Sequence, residues 1–172
     1  MKSVLQITKV LASFGLVLSI AGCMPSSRSP DNAQPDPLVD VTSLEGCSGP
    51  ALYASPDGFA WYQQLHSDNN QQLVTRVYFF AGNLLSLHTT CSEPGITASV
   101  PSIQTHIGVL GNRISILAPA NDRTTAVMNG KTLSCESSIP QESWTYRIVG
   151  KCLQISRPNQ MQLTLPLYTG AF

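Results

Sequence analysis

From Phe59 onward the apolar residues recur at every second position, and that period confines the chain to β structure. Phe59, Trp61, Gln63 and Leu65 alternate with Ala60, Tyr62, Gln64 and His66. In LVTRVYFF, Leu73, Thr75, Val77 and Phe79 share one face, and Val74, Arg76, Tyr78 and Phe80 the other. Leu85, Leu87 and Thr89 continue the pattern, followed by Ile103, Thr105, Ile107 and Val109, then by Ile114, Ile116 and Ala118. Trp144, Tyr146 and Ile148 fall on one face, and Met161, Leu163, Leu165 and Leu167 give the cleanest alternation in the chain. Successive side chains of a strand point to opposite faces, so each run sets one apolar row against a core.

The connections carry turn chemistry. Asn129-Gly130, between TTAVM and KTLSC, is a strong hairpin signal because both residue types tolerate positive φ. Ser67-Asp68-Asn69-Asn70, Ala81-Gly82-Asn83, Gly111-Asn112, Val149-Gly150-Lys151 and Ser156-Arg157-Pro158-Asn159 read as further turns. About nine short strands at such spacing predict an all-β domain, an antiparallel meander closed as a barrel or folded as a sandwich. Pro166 interrupts the last strand opposite the leucines, which suits an edge or a bulge.

The amino terminus reads differently. Lys2 and Lys9 bracket a short basic region, and Leu11 to Gly22 form an uncharged, mostly apolar run ending in small residues. A spanning helix needs about 20 apolar residues, and this run is shorter. Its layout is that of a secretory signal peptide over residues 1–22. Ile20-Ala21-Gly22-Cys23 resembles the lipobox of bacterial lipoproteins, an aliphatic residue and two small ones before a cysteine. The resemblance implies that Cys23 carries a diacylglycerol thioether, that the chain is cut after Gly22, and that the new amino terminus is acylated, commonly with palmitate. Several acyl chains anchor a protein stably where one does so only marginally. Met24 stands where an aspartate would signal inner-membrane retention in some Gram-negative bacteria. The expected location is therefore the outer membrane, with the lipid anchor as the membrane contact.

Residues 23–43 then read as a tether. Pro25, Pro30, Pro35 and Pro37 stand among Ser, Asp, Asn and Gln, a composition that buries too little apolar surface to offset chain entropy. Residues 44–172 form the β domain. With Cys23 assigned to lipid, four of the five cysteines remain: Cys47, Cys91, Cys135 and Cys152. In an oxidising compartment an even set reads as two disulfides. Four cysteines allow three pairings, and the sequence does not choose among them; the one favoured here is Cys47–Cys91 with Cys135–Cys152, whose second bridge closes a short loop. Strand number, meander spacing and two cysteine pairs resemble the lipocalin-like barrels found among bacterial lipoproteins. Gly58-Phe59-Ala60-Trp61 is one residue longer than the Gly-x-Trp of true lipocalins, and LYTGAF stands where they carry a helix.

No catalytic or metal site is legible, and no cofactor is implied. His66, His88 and His106 are far apart in sequence with no second ligand beside any of them. Gly46-Cys47-Ser48-Gly49-Pro50 lacks the register and strand-to-helix setting of a nucleophile elbow, and reads as a loop holding a disulfide. Asp57, Asp68, Glu93, Asp122 and Glu142 fall in or near turns, too scattered for a paired acid and base. Ten basic and ten acidic side chains balance without a run of either sign, which argues against a nucleic-acid partner. The expected function is binding: of a small apolar ligand if the barrel is hollow, or, alternatively, a structural or protein-interaction role in the envelope if its core is filled. Small inward side chains would leave a cavity, whereas Leu, Ile, Phe and Trp would fill it.

Overall fold

A computed structural model describes residues 37–67 and 71–170. Residues 1–36, with the expected signal peptide, Cys23 and most of the expected tether, and residues 68–70 and 171–172 lie outside the described residues. All regular structure among the described residues is strand. The elements are β1 (Val39–Asp40), β2 (Ala60–Ser67), β3 (Gln72–Ala81), β4 (Leu84–Glu93), β5 (Ile96–Leu110), β6 (Arg113–Ile116), β7 (Ala120–Met128), β8 (Lys131–Ile139), β9 (Ser143–Val149), β10 (Cys152–Ser156) and β11 (Leu163–Pro166). Nine strands make one sheet in the order β1-β2-β3-β4-β5-β6-β9-β10-β11, and β7 with β8 makes a separate two-stranded ribbon. Every paired strand runs antiparallel to its neighbour. The all-β antiparallel expectation holds.

The long sheet curls until its far end meets its second strand. Trp61 on β2 bridges Leu167 just beyond β11, and the Tyr168 amide donates to the Ala60 carbonyl at 2.8 Å. This seam closes β2 to β6 and β9 to β11 into a ring, with β1 left as an outer edge on β2. Pairing sets which residues face inward. Trp61 stands opposite Tyr78, Gln63 opposite Arg76, and Leu65 opposite Val74; Phe80, Tyr78 and Val74 in turn stand opposite Leu85, Leu87 and Cys91. Of the two faces of β3, the one carrying Val74, Arg76, Tyr78 and Phe80 is therefore the core row.

One end of the interior is filled by Trp61, Phe80, Leu85, Leu87, Ile114, Leu153, Ile155 and Leu165, all at most 2 % exposed. The other end holds Leu65, Val74, Cys91, Ile96, Ala98 and Val100, and the ribbon covers it with Leu133 and Cys135. Thr89 and Ser137, both fully buried, join sheet to ribbon through their hydroxyls at 2.9 Å. A shared hydroxyl bond satisfies both groups, which would otherwise each cost about 1–3 kcal/mol to bury.

The hairpin at Asn129-Gly130 forms as its residues dictate. Met128 pairs with Lys131, and both loop residues take positive φ, 52° and 76°. That is the two-residue turn whose twist matches the strands it joins. The meander holds as well: the nine strands of the sheet follow chain order, with the ribbon as an excursion between β6 and β9. β5 is 15 residues long and runs through Pro101. The β4–β5 register shifts by one residue between Leu87 and Thr89, and Pro101 occupies the resulting bulge, where a missing amide costs no ladder bond. Ala118 is exposed beyond the end of β6, and Met161 is 88 % exposed outside β11, so that alternation supplies only a four-residue strand. Pro166 closes β11 opposite Cys152 and is buried.

Residues Val39 to Thr42, within the expected tether, are bonded to β2. The Val41 amide donates to the Gln64 carbonyl at 2.9 Å, and the Gln64 amide donates to the Thr42 hydroxyl at 2.8 Å. Asp40 organises this corner by accepting from Gln63 Nε2 at 2.9 Å and from the amide and hydroxyl of Thr42. Burial pushes its carboxyl pKa up, but the bonds from Gln63 and Thr42 outweigh that and hold it below the usual aspartate range. A depressed native pKa contributes stability above the unfolded value, and that contribution is lost as pH falls through the native value. Hydrogen exchange at the Val41 amide, corrected for intrinsic rate, should thus accelerate on acidification below the ordinary aspartate pKa. Asp40→Asn should accelerate it at neutral pH. An exchange rate indifferent to both changes would remove Asp40 from this role.

Candidate functional site

All four domain cysteines are bridged, but not in the favoured pairing. Cys47 bonds Cys152 and Cys91 bonds Cys135. The bridges expected at Cys47–Cys91 and Cys135–Cys152 fail because the ribbon carries Cys135 on β8 away from β10 and lays it over Cys91 on β4. Cys152, at the start of β10, is left facing the loop that precedes β2. The reach from Cys47 to Cys152 spans 105 residues, yet the Cα atoms are 5.0 Å apart. Gly150 makes that approach possible. It turns at a φ of 55°, and a Cβ there would fall on the backbone oxygens of Gly46 and Ser48.

The three histidines lie on the outer faces of β2, β4 and β5, opposite Val39, Val77 and Leu84 respectively. Among the described residues no group of three His, Cys, Asp or Glu side chains is placed to hold a metal. Glu142 has a structural role that its turn position did not announce. It accepts the Trp144 indole N–H at 2.6 Å and pairs with Arg157, whose guanidinium lies 5.8 Å from the Trp144 ring centre. Inside the ring, burial pushes the Tyr78 phenol pKa up against the pull of the Arg76 and Arg157 cations. The Arg76 Nε is buried without an acceptor. The interior is packed with side chains at this level.

Space for a ligand lies elsewhere. A recess of about 230 Å³ at one end of the ring reaches the inner residues Phe80 and Ile107, beside Pro56 and Tyr146. An outer groove of about 340 Å³ crosses β3 to β5 at the bulge, between Val77, Phe79 and His88. The roomiest of these, about 640 Å³, is a cleft over the seam. Tyr53 and Tyr62 line it together with Ser43, Glu45, Lys151, Leu167 and Thr169.

The cleft walls are fixed by the backbone. The Lys151 amide donates to the Gly46 carbonyl at 2.9 Å, the Leu167 amide to the Lys151 carbonyl at 3.1 Å, and the Cys47–Cys152 bridge stands behind them. The rings are fixed as well. Tyr62 meets Tyr168 edge-on with centres 6.1 Å apart, while Tyr53 packs at 4.4 Å on Phe59 and at 6.1 Å on Trp61. No sequence motif singled these residues out, because they come from three segments that only the seam and the disulfide bring together. The fold and this surface define a disulfide-stabilised, ring-closed β domain with clefts on its outside. Comparison of the chain with protein families, curated proteins and solved structures gives no match.

Proposed function

We propose that the chain is a lipid-anchored β domain of a bacterial envelope, held at an outer membrane through Cys23, and that it acts by binding on its outer surface. This is the protein-interaction reading, preferred over carriage of an apolar molecule inside a hollow barrel. The observation that carries it is the filled interior: Trp61, Phe80, Leu85, Leu87, Leu153 and Ile155 occupy the space that a carrier would leave open. Ligand pockets usually measure about 300–1,000 Å³, and the recess that touches the inner row is smaller at about 230 Å³. No catalytic step is part of this reading.

Two measurements test it. The apolar fluorophore N-phenyl-1-naphthylamine, titrated into the protein, should give no saturable site; one-to-one binding that quenches Trp61 emission would reinstate the carrier. Cys23→Ser should move the protein from the membrane to the soluble fraction of cells. Membrane retention of that variant would refute the anchor.

A further inference from the structure

We infer that the cleft over the seam is a saccharide site, taking a neutral oligosaccharide of the envelope; this rests on the filled core and outer-surface binding proposed above and goes beyond its protein partner. Its chemistry is mixed in a particular way. Tyr53 and Tyr62 supply flat rings with negative faces, suited to the polarised C–H bonds on one side of a pyranose. Ser43 and Thr169 add hydroxyls that both donate and accept, Lys151 adds donors only and Glu45 acceptors only. A sugar is the small ligand that presents apolar C–H patches and hydroxyls of both kinds on one rigid body.

Other ligand classes fit less well. A purely apolar molecule would bury these polar groups unpaired, at a cost of about 1–3 kcal/mol each. Lys151 and Glu45 cancel, so an ionic ligand meets no net charge. An extended peptide adds to a sheet through a free edge, but at the seam the Leu167 and Tyr168 amides are already paired with Lys151 and Ala60 carbonyls. The volume of about 640 Å³ accommodates more than one sugar ring. The lining is held before any ligand arrives, by the disulfide and by the backbone bonds of the seam. Little ordering entropy would then oppose binding.

The test uses the full lipidated chain in micelles of a detergent without a sugar headgroup, titrated calorimetrically with chitotetraose, cellotetraose and maltotetraose. Saturable one-site binding of at least one of them is expected, with a Kd of about 1 mM or tighter. Tyr62→Ala and Lys151→Ala should each weaken it about tenfold or more. Phe79→Ala, in the separate groove on β3, should leave it unchanged. Tyr62→Phe, which keeps the ring, should retain most of the affinity, so that loss in Tyr62→Ala is not read as misfolding. Absence of saturable binding by all three sugars at about 10 mM, or binding indifferent to Tyr62→Ala, overturns the assignment. Such a failure leaves outer-surface binding of a protein partner standing, because that reading falls only with the fluorophore result.

Discussion

Alanine at both Cys47 and Cys152 is expected to lower unfolding free energy by about 4–5 kcal/mol, and alanine at both Cys91 and Cys135 by about 4 kcal/mol. The separations of 105 and 44 residues set these values, since a longer closed loop removes more entropy from the unfolded chain. A domain of this size is stable by about 5–15 kcal/mol, so either loss would be conspicuous in denaturant unfolding. The two variants should differ in where they loosen. Without Cys47–Cys152, amides near Gly46 and Lys151 should exchange faster, because that bridge backs one wall of the seam cleft. Without Cys91–Cys135, fast exchange should appear in β7 and β8, which the Thr89–Ser137 hydroxyl bond would then hold without covalent help. A change below about 1 kcal/mol in either pair would mean that its loop is already closed in the unfolded ensemble.

Strand identity was legible because it is local. The alternation in LVTRVYFF places Val74, Arg76, Tyr78 and Phe80 together whatever the partner strand, and the structure turns that row inward. Asn129-Gly130 names its own turn in the same way. Disulfide pairing was not legible because it depends on topology. Choosing a short loop for Cys135–Cys152 assumed that neighbours in sequence are neighbours in the sheet, and the ribbon breaks that assumption by leaving β6 to pair with β9. The seam cleft is less legible still. Glu45, Tyr62 and Thr169 have no common spacing, and their meeting requires that β11 return to β2.

That return makes Trp61 the most sensitive residue of the core. Trp61→Ala is expected to cost about 3–5 kcal/mol, the range for removing a buried aromatic whose cavity cannot collapse. The indole is fully buried, stands opposite Tyr78 on β3, and bridges Leu167 across the seam, so its loss weakens both neighbours of β2. Its Nε1 donates to the Pro56 carbonyl at 3.3 Å, which pins the loop before β2, and Tyr53 packs against its edge. Phe79→Ala, on the outer face and 37 % exposed, should cost much less, about 1 kcal/mol. Chemical unfolding measures both, with an unchanged m-value showing that the unfolded state is the same. Exchange at the Tyr168 amide discriminates further. If Trp61 holds the ring closed, that amide should lose protection in Trp61→Ala before amides of β4 and β5 do, because the Ala60–Tyr168 bond is the seam itself. Uniform loss of protection across all strands would instead mean that the seam and the sheet open as one cooperative unit.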